Sequence, residues 1–238
     1  MRVVDDYVKA VSGLTKFIFR ADVLVFLIPA LAISLFFSVL FLLLNLAGSI
    51  FSIVTFIPFI GEILNEAFTW IVTISGNIVY YFYAFVILTL LSPVNNLLSA
   101  KCDSLLTGSN YKLSLFEFLS DLWRALKINV ALLFFYGLTS IFISLFLSVT
   151  KLDFLDNSLY FLASSFYFGF SFFDYNFERF RMKISETFGR GIRNWQYVLL
   201  GGIIFNGLYL IPYLGLIISS FITTILTTQV FLLRNKFQ

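Results

Sequence analysis

The sequence predicts an all-α integral membrane protein, with two long spanning helices, two apolar helical hairpins that can be partly inserted, and amphipathic cytoplasmic helices. The first observation is composition: of 238 residues, 60% are hydrophobic and 12% are charged, whereas a soluble domain carries about 25% charged residues. The second is that the charges are grouped, which leaves five long uncharged stretches. The third is that lysine and arginine gather beside alternate stretches, as in polytopic membrane proteins. We expect a single membrane domain over residues 1–238.

The composition also excludes several classes of function. A net charge of +3, spread along the chain, is too small for a nucleic-acid-binding surface. Histidine is absent and Cys102 is the single cysteine, so this chain alone builds no Ser-His-Asp triad, no Cys-His pair and no zinc site. We therefore expect no enzyme activity, no cofactor, no metal site and no nucleic-acid partner.

The first two uncharged stretches predict the two long spanning helices. Residues 23–61 number 39, and as one helix they would extend close to 60 Å, twice the ~30 Å hydrocarbon core of a bilayer. We expect this stretch to break near Gly48 or Pro58. The second stretch covers residues 67–100 and is separated from the first by acidic residues on the other side of the membrane.

The remaining uncharged stretches predict two hairpins. Residues 128–150 and 157–173 are separated only by a short charged tip that contains Lys151. Residues 194–233 are too long for one helix and contain a turn signal around Pro212. Each arm of this last stretch has roughly 10–18 residues, which is marginal for a complete crossing. A partly inserted hairpin is therefore expected.

Two further segments predict amphipathic helices on the cytoplasmic side. Residues 4–18 carry an apolar stripe at helical spacing, and residues 114–127 begin with a Ser114–Glu117 capping-box pattern and continue with one apolar face. The two stripes are Val4, Val8, Val11, Leu14 and Ile18, and Leu115, Leu119, Leu122 and Leu126. We interpret both helices as a structural collar on the membrane surface, with a recruitment surface as the alternative.

The distribution of basic residues predicts the topology. Fifteen of the sixteen lysines and arginines lie before the first stretch, after the second, between the hairpins or at the C-terminus, and Lys151 alone lies opposite. The positive-inside rule then requires an even number of crossings with both termini in the cytoplasm. We expect a multi-pass protein of the plasma membrane, which in a bacterium is the inner membrane.

Two basic groups are candidate anion sites. Lys16 and Arg20 precede the first long helix, where side-chain charge and the free N–H groups of a helix start can hold an anion. A basic flank that snorkels toward water is the alternative. A cytoplasmic basic cluster could attract an anion or anionic lipid head groups, unless it is ordinary flanking charge. The cluster consists of Arg179, Arg181, Arg190 and Arg193.

Neutral polar side chains interrupt the uncharged stretches, among them Thr139, Ser140, Asn206 and Gln229. They either line a path for a solute or join helices by hydrogen bonds, and we favour the second interpretation. No charged residue lies in the middle of a stretch, where a proton-coupled carrier usually keeps one. We therefore expect no coupling through a buried carboxylate.

Several short motifs follow one another along the chain. The segment Ser92-Pro93-Val94-Asn95-Asn96-Leu97-Leu98 is followed by Leu105-Leu106-Thr107-Gly108, then by Asp174-Tyr175-Asn176-Phe177 and by Ile211-Pro212, with Gly13 and Pro29 near the start. In order and spacing these motifs resemble the CysZ family of sulfate permeases, which includes the etoposide-induced-protein domain. The resemblance covers nearly the whole chain.

The resemblance implies an all-helical inner-membrane protein that transports sulfate and assembles as a homo-oligomer. The matched motif positions are Ser92, Pro93, Asn95, Asp174, Tyr175 and Pro212. In the family, sulfate is associated with a Gly-Leu/Ile-Arg-Arg stretch just before the first long helix. This chain has Ala21-Asp22-Val23-Leu24 there, without the two arginines.

These observations favour a permease or channel for a small inorganic oxyanion, sulfate by resemblance, embedded in the lipid bilayer and working without nucleotide. A non-transporting scaffold or assembly factor is one alternative, motivated by the missing arginine pair and the uncharged spans. A lipid-handling membrane protein is another, suggested by 32 phenylalanines and short hairpins.

Overall fold

The computed structural model describes residues 2–33, 35–36, 39, 85–108, 115–211 and 214–234. Within these ranges the chain is helical apart from short connections, and no strand is present there. This confirms the predicted all-α fold class. The expected helix break near Gly48 or Pro58 and the motif position Pro212 lie outside the described residues.

The described helices occur in the following order along the chain. They are α1 (Arg2–Ile18), α2 (Ala21–Ile33, with a short first segment at Ala21–Leu24), α3 (Phe85–Thr107), α4 (Leu115–Thr150), α5 (Asp156–Arg179), α6 (Ile184–Arg193), α7 (Trp195–Tyr209) and α8 (Gly215–Leu233). A 3₁₀ turn, Asp153–Leu155, joins α4 to α5.

Three of these helices are long and apolar enough to cross a membrane: α3, α4 over Leu119–Thr150, and α8. In their most apolar windows, 78% of α3 and of α8 is buried inside the protein, but only 17% of α4. Helices α3 and α8 are therefore interior elements, and α4 turns apolar side chains such as Phe134 and Phe142 outward. An apolar surface of this extent requires lipid or another subunit to cover it.

Both predicted hairpins are present. Helices α4 and α5 run back along each other, with the hydroxyl oxygens of Thr139 and Tyr167 2.7 Å apart, and α7 packs along α8.

A buried amide also ties three helices together. Asn129 in α4 donates to Thr89 Oγ1 of α3 at 2.8 Å and accepts from Ser171 Oγ of α5 at 2.8 Å. In an apolar environment such bonds join helices because their polar atoms have no better partner.

One of the two predicted amphipathic helices is not a separate element. Residues 115–127 are the beginning of α4, which runs unbroken for 36 residues. No glycine or proline stands between residues 115 and 136 to end the helix. The leucine face is exposed at Leu119 and Leu126, while Ala125 packs inward. The prediction of an independent interfacial helix over these residues was therefore wrong.

Helix α1 is amphipathic as predicted, but its valine stripe is not the buried face. Val4, Val8 and Val11 are exposed, and the side chains that pack inward are those of Tyr7, Ala10 and Phe17. Both sets recur at helical spacing, and contact with α7 and α8 selects the second. The Tyr7 hydroxyl donates to the carbonyl oxygen of Tyr197 at 2.9 Å. The exposed valines remain available for the membrane surface.

The basic segments meet at one end of the bundle. Lys101, near the end of α3, lies 2.9 Å from the Asp22 carboxylate, and Arg234, just after α8, lies 2.7 Å from the Asp6 carboxylate of α1. The first and last described helices therefore have their charged ends on the same side. The turn with Lys151 lies at the opposite end of α4, about 33 Å along the helix from residue 128.

Helices α5 and α7 pack with their backbones in direct contact. A Cβ atom added at Gly169 would lie 1.9 Å from the carbonyl oxygen of Val198, and one added at Gly202 would lie 1.6 Å from that of Ser165. Only glycine fits at either position. Small residues permit this close approach between helices in membranes, where packing replaces the hydrophobic effect as the source of association.

Alanine at either contact glycine should separate these two helices. We expect Gly169→Ala and Gly202→Ala each to lower the stability of the detergent-purified protein by about 2 kcal/mol, because overpacking a close contact forces the backbones apart. Thermal unfolding measures the effect. Gly137→Ala is the matched control, since no heavy atom lies within 4 Å of a Cβ there. Wild-type unfolding temperatures for both contact variants would contradict the packing described.

Candidate functional site

The two most buried spanning helices carry polar side chains on facing sides. Hydroxyl and amide groups recur every three or four residues, which places them along one side of a helix. They are Ser92, Asn95, Asn96 and Ser99 on α3, and Ser219, Ser220, Thr223, Thr224, Thr227 and Thr228 on α8, and all are buried. We call the zone where these two faces meet α5 the polar seam.

Hydrogen bonds run across the polar seam. Asn95 Nδ2 donates to Ser220 Oγ at 3.0 Å and so links α3 to α8. Ser99 Oγ donates to Asn176 Oδ1 of α5 at 3.1 Å and lies 2.9 Å from Thr228 Oγ1. The seam therefore holds three helices together by neutral polar contacts.

Two hydroxyl groups in the polar seam form no hydrogen bond within the described part of the chain. Ser92 Oγ and Thr223 Oγ1 are buried and have no hydrogen-bond partner among the described residues. A buried hydroxyl without a partner is uncommon in folded proteins because its desolvation is uncompensated. These two groups are available to a polar solute or to water.

Arg124, which the sequence indicates only as flanking charge, organises one end of the bundle. Arg124 Nη2 donates to Asp174 Oδ1 at 2.9 Å and to Thr187 Oγ1 at 2.8 Å. Its Nη1 donates to the carbonyl oxygen of Met182. One guanidinium thus connects α4, α5 and the start of α6, which uses the several donors that arginine provides.

Glu178 lies beside this arginine without a hydrogen bond. Its Oε1 atom is 3.7 Å from Arg124 Nε, and neither carboxyl oxygen has a hydrogen-bond partner among the described residues. Glu178 follows the apolar part of α5 and lies outside the candidate spans. Burial, together with the nearby Asp174 carboxylate, raises the pKa of Glu178 well above its ordinary value. The side chain is therefore protonated near neutral pH.

The four arginines of the predicted basic cluster do not form one surface. Arg179 points into the bundle, with its side chain 4% exposed and Nη1 donating to the carbonyl oxygen of Ser99 at 2.7 Å. Its Nη2 lies 3.5 Å from the Asp103 carboxylate. Arg181 and Arg193 are exposed, and Arg190 pairs with Glu186 at 3.0 Å on α6.

The described family-motif positions are buried where helices meet, and Ser92 and Asn95 belong to the polar seam. Ser92, Pro93 and Asn95 are all buried on α3. Tyr175 donates to the carbonyl oxygen of Leu88 in α3 at 3.2 Å. Asp174, next in the chain to Tyr175, takes the bond from Arg124 described above. These motifs therefore supply contacts between α3, α4, α5 and α8.

A pocket of about 410 Å³ opens between α1 and the ends of α3 and α8. Its lining comprises Lys9, Ser12, Gly13, Lys16, Phe17, Leu106, Thr107, Gln229, Leu232 and Leu233. We call it the basic pocket. Lys16, a predicted anion-site residue, lines it together with Lys9. Gln229 packs over Gly13, where an added Cβ would lie 2.5 Å from Gln229 Oε1.

Arg20, the other predicted anion-site residue, is not part of that lining. Its Nε atom donates to Asp22 Oδ1 at 3.0 Å, and Lys101 Nζ lies 2.9 Å from the second oxygen of the same carboxylate. Hydrogen bonds from Arg20 and Lys101 hold the pKa of Asp22 well below its ordinary value. The structure thus places Lys16 and Arg20 in different surroundings.

Sequence reasoning missed Lys9 and the role of Arg124, and it named Gln229 only as a neutral polar side chain without connecting it to Lys16. The spacing of Lys9 and Lys16, seven residues apart on one face of α1, was a usable signal. The contacts of Arg124 and Gln229 gave no local signal, because their partners are distant in the chain. Among the described residues, no group of three His, Cys, Asp or Glu side chains is arranged to hold a metal ion.

The fold and these sites define a polytopic α-helical membrane protein with a polar interior. The sequence model of the family described as "Sulfate transporter CysZ/Etoposide-induced protein 2.4" matches residues 11–220, and the chain belongs to this family. The resemblance drawn from the motifs is thereby confirmed. A comparison with curated protein sequences finds no match.

Removing the central arginine should destabilise the fold. We expect Arg124→Gln to cost about 3–5 kcal/mol, because it leaves the buried Asp174 carboxylate without its cation. Thermal unfolding in detergent measures the loss. Lys127→Gln, one turn further along α4 at an exposed position, is the matched control and should change little. Equal stability of the two variants would show that Arg124 does not hold these helices together.

The raised pKa of Glu178 predicts a pH dependence of stability. The folded state keeps a proton that the unfolded chain releases above its ordinary carboxyl pKa, so stability falls as pH rises from about 5 towards the folded-state pKa of about 10. Glu178→Gln removes this proton linkage, and the fall should become smaller. The measurement is the unfolding temperature of both proteins across that range. Identical pH profiles would mean that Glu178 is ionised in the folded protein.

Proposed function

We propose that the protein is a membrane permease or channel for a small inorganic oxyanion, with sulfate as the first candidate. The observation that carries the proposal is the polar seam in the interior of a member of a sulfate transporter family. A sulfate ion that leaves water requires replacement hydrogen-bond donors, because a bare anion in an apolar medium is prohibitively costly. The seam offers the hydroxyl groups of Ser92 and Thr223, unpartnered within the described residues, at the depth where water is scarce.

The charge distribution of the seam suits a transported anion, which has to be released from the protein after it binds. Its side chains between Ser92 and Ser99 are neutral, and the first full charge is that of Arg179 near the cytoplasmic end. Asp103 partly balances this charge. Conduction requires binding that is favourable enough for entry and weak enough for release, and neutral donors followed by a partly compensated arginine meet both conditions. This arrangement supports passage driven by the anion gradient, without nucleotide and without coupling through a buried carboxylate.

We place both termini in the cytoplasm of a bacterial cell, with the protein in the inner membrane. The pairing of Asp6 with Arg234 supports a common side for the two ends, and the basic segments beside them support the cytoplasmic side. The exposed apolar face of α4 supports a lipid contact or a second copy of the chain.

Sulfate flux tests the proposal. We expect vesicles containing the purified protein to release labelled sulfate faster than protein-free vesicles. Thr223→Val, which replaces an unpartnered seam hydroxyl by a methyl group of the same shape, should slow release several-fold. Thr150→Val, at the exposed end of α4, is the matched control and should leave release unchanged.

Release of sulfate at the rate of protein-free vesicles, by folded protein, would contradict the transport proposal. It would favour the scaffold alternative, for which the bonds across the polar seam would serve only to hold the helices together. Equal rates for wild type and Thr223→Val would exclude this hydroxyl from the path.

A further inference from the structure

We propose that the basic pocket binds a tetrahedral oxyanion, either free sulfate or phosphate or the phosphate of an anionic phospholipid. Lys9 and Lys16 would supply the charge and Gln229 an amide donor. The inference deepens the proposed function and rests on it only for the use of the bound ion in transport. Along α8, Gln229 of the pocket directly follows Thr228 of the polar seam.

The two lysines are the uncompensated charges of this surface. They stand about 10.5 Å apart along α1, two turns that share one face, and within the described chain neither forms an ion pair. Two nearby carboxylates, those of Asp6 and Asp103, are engaged elsewhere, and the exposed Asp5, one turn before Lys9, is not part of the pocket lining. Asp6 is held by Arg234 at 2.7 Å, and Asp103, one turn before Thr107, faces Arg179 at 3.5 Å. A net positive charge is therefore left at the pocket.

Gln229 adds an independent observation that points to a ligand. The residue is 6% exposed, and its Nε2 atom has no hydrogen-bond partner among the described residues. Buried amide donors are almost always paired, so an acceptor oxygen in the adjoining pocket would satisfy it. Ser12 and Thr107 already donate within their own helices, to the carbonyl oxygens of Lys9 and Asp103. The free donors of the pocket are therefore the lysines and Gln229.

The rest of the lining is mostly apolar, so the oxyanion has two candidate sources: a free ion and the head group of a phospholipid. Phe17, Leu106, Leu232 and Leu233 contribute apolar side chains to the same lining. A free oxyanion would use the polar side and retain water, since one water molecule occupies only about 30 Å³ of the liquid. A phospholipid would place its phosphate at the lysines and an acyl chain along the leucines. Both sources present the same tetrahedral group to Lys9 and Lys16.

Titration of the full-length protein in neutral detergent tests the free-ion source. Sodium sulfate is added at constant ionic strength, and binding is followed by calorimetry. We expect the double variant Lys9→Gln/Lys16→Gln to bind sulfate at least about tenfold more weakly, and Gln229→Met to weaken binding less. Lys183→Gln changes an exposed lysine outside the pocket and should bind as wild type. Unchanged thermal unfolding confirms that each variant is folded.

A second arm tests the lipid source. Protein is placed in nanodiscs of phosphatidylcholine with or without phosphatidylglycerol, and retained lipid is counted by native mass spectrometry. Retention of phosphatidylglycerol that is lost in the double lysine variant supports the pocket with a lipid phosphate as its ligand. A sulfate affinity that falls in that variant supports it with a free ion.

The pocket proposal is overturned if the double lysine variant matches wild type in both arms. Its failure is distinguishable from failure of transport. Lysine-dependent sulfate binding without any sulfate flux would support the pocket and overturn the transport role. Sulfate flux that is unaffected by the lysine changes, with unaltered binding in both arms, would support transport and overturn the pocket.

Discussion

The structure depends on one constraint: polar groups inside an apolar environment must find their partners within the protein. Asn95, Ser99 and Asn176 meet this requirement by bonding across α3, α5 and α8. The constraint decides which helices lie inside, because α3 and α8 have hydroxyl and amide faces that lipid cannot satisfy. It also decides that α4, which is apolar on nearly every side beyond residue 129, lies at the periphery with only 17% of its apolar window buried.

The two kinds of basic residue have different places in this arrangement. Arg124 and Arg179 are drawn inward, because a planar guanidinium can bond to several acceptors at once and so repay its loss of water. Lys9 and Lys16 stay at the edge of the bundle, where a compact ammonium keeps its hydration. The inward arginines are compensated by carboxylates, and the lysines are not. Local positive charge is consequently concentrated beside α1 rather than along the whole of this end of the bundle.

The sequence predicted the helical class, both hairpins and the family because these follow from uncharged stretches and short motifs. Hydropathy could not choose between the two faces of α1, since Val8 and Tyr7 both belong to helical stripes and only contact with α7 and α8 separates them. The contact of Gly169 with α7 could not be predicted from the sequence, because a glycine in a helix does not by itself indicate that another helix packs against it. Lys16 was identified as a candidate, but its pocket joins residues more than 200 positions apart, and no local pattern encodes that proximity.

In the basic pocket, Gln229 of the interior helix α8 and the lysines of α1 line one cavity. Selenate has the shape and charge of sulfate, and selenium scatters X-rays anomalously, so a crystal of the protein grown with selenate tests anion binding there most directly. If the basic pocket binds the anion, we expect an anomalous peak between α1, α3 and α8, within hydrogen-bonding distance of the Lys16 ammonium. A peak beside Arg20 and Asp22, or an empty pocket at saturating selenate, would contradict it.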